Sequence, residues 1–280
     1  MRFNDSLMTR SPNMKSLPLS DEQLKKAASA VFAMAPAERV TERYSFLPTI
    51  EVVSALRNAG WQPIFAAQGT VRDIAKDGIQ RHVVRFRHPD MTFSALSNVG
   101  DVSPELVLLN SHNGSSAFQL HAGLFRLVCG NGMVVADSTF AKLSIKHSGT
   151  TMHDVVDASF SIVKDVPQIG ATVEAMRSTE LNQEERLVFA EAARKLRWEE
   201  DEKAPVSANS LLAPRRICDD KGDLWHTFNK VQENLVRGGL HGRTQNGKRT
   251  HTRAVNSVHE DTRINKALWH LAEEMRKLKN

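Results

Sequence analysis

The sequence predicts an α+β protein: a mainly antiparallel β-sheet with flanking helices in the N-terminal half, then a helical C-terminal half. Three observations carry this. Period-two alternation recurs between Trp61 and His147, with Asn-Gly turn signals at Asn113-Gly114 and Asn131-Gly132. Two apolar runs, Leu106–Leu109 and Leu124–Cys129, flank the polar segment Asn110–Ser116, the form taken by adjacent buried strands. From His153 onward the apolar spacing becomes helical, and a capping box stands at Asn182–Glu185. The expected organisation is a flexible N-terminus over 1–19, a sheet-containing core over 20–150, and a helical region over 151–280 packed on that core, with a basic loop at 237–259.

In chain order, Ser20-Asp21-Glu22-Gln23 is a capping box: Ser20 accepts from the third helical amide and Gln23 reaches back. The helix it opens carries Leu24, Ala27, Ala28, Val31 and Phe32 on one stripe, and Pro36 ends it. Arg43–Leu47 reads as a short strand. Thr49 reads as the N-cap of a helix with Ile50, Val53 and Leu56 on one face and Gly60 as its stop.

Trp61 to Arg87 reads as a β-hairpin. Phe65, Ala67 and Val71 alternate with Gln68, Thr70 and Arg72; His82, Val84 and Phe86 alternate with Arg81, Val83, Arg85 and Arg87. Gln68, Arg72, Arg85 and Arg87 then share a face that either tracks a phosphate backbone or is an ordinary solvated sheet surface. Lys142–His147 reads as a further strand, Leu143 and Ile145 on one side and the basic Lys142 and Lys146 on the other.

His153–Val163 and Gln168–Ser178 read as successive helical stretches. Asn182 opens an amphipathic helix through Leu187, Ala190, Ala193 and Leu196 to Trp198, and Glu199–Pro205 is an acidic linker. A helix over Asp223–Arg237 turns Trp225, Phe228, Val231 and Leu235 inward and stops at Gly238-Gly239. The last helix, Arg263–Leu278, buries Ile264, Leu268, Leu271 and Met275. Between these two helices no acidic residue occurs from Asn234 to His259, while Arg237, Arg243, Lys248, Arg249 and Arg253 all fall inside. Gly238, Gly239, Gly242 and Gly247 make this a flexible loop with a third Asn-Gly turn at Asn246-Gly247. A long basic loop between packed helices points to nucleic-acid contact; the bland alternative is a disordered basic loop.

Composition bounds the function. The 280 residues are 41% hydrophobic, enough for a real core, and 37 Lys+Arg against 32 Asp+Glu leave a net charge of +5. That mild excess permits a nucleic-acid partner without requiring one. Cys129 and Cys218, far apart and outside any CxxC, indicate a reduced cytoplasmic protein with no disulfide framework or zinc knuckle, and Cys129 reads as a small core residue. No apolar run approaches the ~20 residues of a membrane span, and no hydrophobic signal core opens the chain.

The sequence carries no phosphate loop, dinucleotide fingerprint, HExxH or GxSxG motif. His147 and His153 are metal ligands only if the fold joins them, and Ser111–His112 is a poor nucleophile–base pair because neighbours on an extended chain point apart. No cofactor or metal is expected. The turn SHNGSS is rich in hydroxyls, amides and an imidazole; it is either ordinary turn chemistry or an anion-binding element.

The segments RYSFLPTIEVVSALRNAGWQPIFAAQ (Arg43–Gln68), LLNSHNGSSAFQLHAGLFRLVCGNGMV (Leu108–Val134), DLWHTFNKVQENLVRGGLHGR (Asp223–Arg243) and RINKALWHLAEE (Arg263–Glu274) resemble the YfjQ/YafZ-like family of plasmid- and prophage-borne proteins, a domain of unknown function. The resemblance covers nearly the whole chain from Leu19 and implies a mobile-element context, near DNA transfer, repair and evasion of host defence. It supplies no catalytic residues. A second resemblance concerns arrangement only. A helix ending in LRNAGW, then strands, then a helix, is similar to the β-β-β-α core of Rad/Erf/RecT-type single-strand annealing proteins, with Leu56, Asn58, Gly60 and Trp61 in that pattern at altered spacing. No longer motif is shared, and the large helical C-terminal half differs. Those proteins form rings or filaments that hold single-stranded DNA in a basic groove.

Two expectations follow. The first is a non-enzymatic protein of mobile elements that binds or anneals single-stranded DNA in transfer, repair or recombination, as a homo-oligomer away from membranes. Arg72, Arg85, Arg87, Lys142, Lys146, Arg237, Arg243, Lys248, Arg249 and Arg253 would then lie on the phosphates. The second is an anion- or nucleotide-binding enzyme or anti-defence inhibitor, with a pocket of Asn110, Ser111, His112, Asn113, Gly114, Ser115, Arg126 and Asn131. The shortage of aromatics, with Tyr44 the only tyrosine, weighs against stacking-driven single-strand binding but not against a grip on the backbone.

Overall fold

The computed structural model describes residues 17–38, 40, 46–69, 78–89, 102–116, 118–126, 132–134, 143–145, 152–198 and 204–279. The chain divides into two compact units between Pro167 and Gln168, later than the boundary near 150 expected from sequence.

In the first unit, Ser20 and Gln23 form the expected reciprocal cap on α1 (Asp21–Ala27). The apolar stripe does not continue as one helix: a 3-10 turn, Ser29–Phe32, follows. Helix α2 (Thr49–Asn58) buries Val52, Val53 and Leu56. Its N-cap is Pro48, with no side-chain cap, so Thr49 is the first helical residue rather than the cap. Gly60 follows at φ 93°, where a Cβ would lie 2.5 Å from the His88 ring. This leads the buried Trp61 into the sheet, its indole donating to Ser159 Oγ at 3.0 Å.

The sheet is an antiparallel meander of β1 (Gln62–Gln68), β2 (His82–Arg87), β3 (Val102–Asn110) and β4 (Phe118–Arg126). The far edge of β4 carries two short strands, β5 (Gly132–Val134) beside Gly123–Phe125 and β6 (Leu143–Ile145) beside Phe118–Leu120. The first apolar run and the described start of the second, Leu124–Arg126, lie on neighbouring strands, but Leu108 faces Leu120 and Leu124 faces Pro104. Of the strand expected at Arg43–Leu47 only Phe46 and Leu47 are described, and neither lies in a strand; the second half of the first hairpin strand, Cys129, Asn131 and the Lys142, Lys146 and His147 positions fall outside the described residues.

Helix α3 (Met152–Ser178) runs without a break through Pro167, joining the two stretches expected to be separate. In the second unit, Asn182 and Glu185 cap α4 (Gln183–Arg197) reciprocally, as its sequence predicts. A short α5 (Ala208–Leu211) precedes α6 (Leu224–Arg237), and α7 (Val258–Lys279) closes the chain, starting five residues earlier than expected. Every residue of α6 from Leu224 to Val236 is buried. Its apolar side meets α7 through Trp225, Phe228 and Trp269. Its polar side is held internally: Glu233 takes both Arg216 and Arg237, and Gln232 donates to Asn265. Among the described residues no helix is long and apolar enough to cross a membrane.

Candidate nucleic-acid interface

The acid-free stretch after α6 is an ordered β-hairpin, not a flexible loop. Strands β7 (His241–Arg243) and β8 (Arg249–His251) pair in antiparallel register, His241 facing His251 and Arg243 facing Arg249. The Thr252 amide donates to Leu240 O and the Thr244 amide to Lys248 O, so these outer pairs are the hydrogen-bonded ones. His241/His251 and Arg243/Arg249 are therefore non-hydrogen-bonded pairs, the closer kind, and period two puts all four on one face. At the tip the Gly247 amide donates to Thr244 O and Gly247 takes φ 74°, a type I turn followed by a glycine bulge.

The hairpin is pinned from behind. The Arg243 amide donates to Pro205 O at 2.9 Å, and a Cβ on Gly242 would lie 2.0 Å from that oxygen, so only glycine fits. At its base Gly238 takes φ 65° with Thr252 and Arg253 backbone against it. The carbonyls ending α6 accept from two arginines, Leu235 O from Arg197 and Gly238 O from Arg215. Burial pushes both guanidinium groups below their ordinary range.

His241, Arg243, Lys248, Arg249, His251 and Arg253 are exposed. Among the described residues none of them makes an ion pair, and Arg243 gives only a hydrogen bond to Gly247 O. Arg237 differs: it is paired with Glu233 at 2.8 Å and belongs to the helix rather than to the hairpin face. Two arginines directly opposite each other on a short hairpin destabilise it slightly, so the pair contributes nothing to the stability of the fold. His241 and His251 were not among the expected contacts, although the alternation HGR…RTH about an Asn-Gly turn carries the signal.

Among the described residues the arginine face expected on the first hairpin does not exist as a free surface. Five of the six β2 residues are buried, so both its faces are covered. A bulge between Pro63 and Phe65 places Gln68 opposite His82, away from the arginines. Arg85 is fully buried, with Nε 2.6 Å from Glu105 Oε2 and its guanidinium 5.0 Å from the Phe65 ring. Arg87 is 19% exposed and lies 2.7 Å from the same carboxylate. The sequence-based face lacked this acid because Glu105 arrives from β3. Arg72, Lys142 and Lys146 lie outside the described residues.

Among the described residues the expected anion pocket is also not open. Asn110, Ser111 and His112 are buried, and only Asn113, Gly114 and Ser115 reach the surface. Ser111 Oγ closes the turn on Ser116, and Asn113 Oδ1 takes the Ser115 amide. The Arg126 side chain and Asn131 are outside the described residues. The inner residues instead build a polar knot about Thr49. Its Oγ1 lies 2.8 Å from His82 Nε2 and 3.1 Å from His112 Nε2, and accepts from Asn110 Nδ2 at 3.0 Å. His82 Nδ1 lies 2.9 Å from Gln80 O, so Nδ1 carries the proton and a neutral His82 accepts from the Thr49 hydroxyl. His112 Nε2 must then donate. Burial, with a smaller contribution from His112 and against the Gln80 carbonyl, drops His82 to about 3. Among the described residues no group of three or more metal-ligating side chains could hold an ion, and His153 instead faces Asp157 at 3.4 Å.

The chain is 37% identical to two curated proteins of Escherichia coli (strain K12), "UPF0380 protein YfjQ" and "UPF0380 protein YafZ". Each match runs over 258 residues and covers 92% of both chains. No solved structure matches. Residues 36–269 fit the profile described as "Domain of unknown function (DUF932)", which spans the sheet, α6, the hairpin and most of α7. With that profile and those relatives covering nearly its full length, the chain belongs to the DUF932 family.

Proposed function

We propose that the protein binds nucleic acid, single-stranded DNA in the first place, through the exposed face of the β7–β8 hairpin, and that it does so without catalysing a reaction on it. The observation that carries this is the stacking of two like pairs, His241/His251 and Arg243/Arg249, on an ordered hairpin flanked by Lys248 and Arg253, with no acid between Asn234 and His259. Cations held side by side favour a linear polyanion whose phosphates repeat along a strand. The two imidazoles offer unpaired bases a ring surface beside the arginine pair. A strand-annealing role in mobile-element DNA transfer, repair or recombination, with several copies acting together along a strand, is the setting in which such a grip would work. Arg85 and Arg87 take no part in this grip, because both are paired with Glu105.

Fluorescence anisotropy with a labelled oligonucleotide across a salt series tests it. Each phosphate contact adds about 0.7 to the log–log salt slope on a single strand and about 0.9 on duplex. Changing Arg243, Lys248 and Arg249 together to Ala should flatten the slope by roughly two units. An unchanged slope removes the hairpin, and no binding at any salt removes the nucleic-acid reading.

A further inference from the structure

We propose that His241 and His251 together form a binding site for a divalent first-row transition ion that favours imidazole, Cu²⁺, Ni²⁺ or Zn²⁺. The two residues face each other across the hairpin with ring centroids 4.2 Å apart and planes at 55°. Both side chains are exposed, and among the described residues neither imidazole makes a hydrogen bond or ion pair. Each therefore has a ring nitrogen available as a ligand, the donor type these ions take.

The geometry suits one shared ion. Two imidazole nitrogens bound at about 2.0–2.1 Å around a tetrahedral ion stand about 3.3 Å apart, with ring centroids roughly 5 Å apart. The observed rings must part by roughly 1 Å, which small side-chain rotations on an open face permit. The backbone beneath does not yield in the same way. Gly242, between the two strands' arginines and histidines, is fixed against Pro205 O, and Gly238 and Gly239 tie the base to Thr252 and Arg253. The two ligands are thus held at a set separation before any ion arrives, which lowers the ordering cost of binding.

Two protein ligands leave coordination positions open, unlike a closed structural zinc site. Arg243 and Arg249, two residues along on the same face, favour an anionic group at those positions. Phosphate oxygen, hydroxide or water fits; another cationic side chain does not. The ion would also cross-link β7 to β8 and stiffen the hairpin.

The test uses the full chain without nucleic acid, so its failure leaves the DNA reading intact, and loss of DNA binding leaves this one intact. Purified protein is stripped of metal and titrated with Cu²⁺, followed by electron paramagnetic resonance. The expected result is one equivalent whose spectrum shows coupling to two imidazole nitrogens, lost in both His241→Gln and His251→Gln and kept in His270→Gln, a control on the exposed side of α7. Zn²⁺ should slow amide exchange in the hairpin of the unaltered chain and not in the two hairpin variants. Both histidines are exposed, so the variants should fold, and circular dichroism checks this. A Cu²⁺ equivalent retained in both hairpin variants, or lost equally in His270→Gln, overturns the site, as does unchanged hairpin exchange with Zn²⁺.

Discussion

Acidification should unfasten the sheet unit through one residue, His82. In the folded chain Thr49 Oγ1 accepts from Asn110 and His112 and has a single proton, which it gives to His82 Nε2. A proton added to Nε2 would meet an oxygen whose lone pairs are already engaged, in a site with no exposure. This is why burial can drop His82 from 6.5 to about 3. The folded value lies below the unfolded one, so the stability that the neutral ring contributes is fully present above the unfolded pKa. It is lost progressively as pH falls from about 6.5 towards about 3, at about 1.4 kcal/mol per pH unit. Between pH 7 and pH 5 the loss is roughly 2 kcal/mol, and the limit near pH 3 is roughly 5 kcal/mol. Urea unfolding at pH 7, 6 and 5 would be read by pulsed amide exchange of β2 and β3, because a whole-chain signal mixes two units. His82→Gln should be less stable than the unaltered chain at pH 7, and that gap should shrink by about 2 kcal/mol at pH 5. A gap that stays constant within about 0.5 kcal/mol refutes the buried neutral imidazole.

Glu105→Gln should destabilise the sheet unit by about 3–5 kcal/mol by urea titration, since it leaves the Arg85 charge buried, whereas the pair Arg85→Met with Glu105→Leu should be much milder. Gly242→Ala should displace the hairpin from Pro205 and weaken oligonucleotide binding with little change in overall helicity by circular dichroism. Gly114→Ala should cost about 1 kcal/mol or more in thermal unfolding, because Gly114 sits at φ 72°. Asn182→Ala should cost about 1 kcal/mol by denaturant unfolding of the helical unit, through loss of the α4 cap.

Signals that act over three or four residues were legible in the sequence by itself. The capping boxes at Ser20–Gln23 and Asn182–Glu185, the stops at Gly60 and Gly238, the antiparallel strands and the turn at Asn246-Gly247 each depend on neighbours in the chain. So did the α+β class, because the change from period two to helical spacing is a property of consecutive residues. Half of the candidate site was visible in the same way, as a run of basic residues without an acid. Its order was not: the hairpin holds its shape through Pro205, 37 positions before Gly242 in the numbering, and through arginines on α4 and before α6.

Tertiary structure alone decided which charges and polar groups are available. Arg85 alternates with apolar neighbours just as an outward residue would, yet β3 brings Glu105 against it and closes the face. Thr49 sits where an N-cap belongs, but its hydroxyl is claimed by His82 and Asn110 from two strands and by His112 from the turn after the second. In each case a local pattern names a side chain's direction, while its environment is set by strand register across tens of residues. Burial and neutralisation depend on that register, and no short window of sequence contains it.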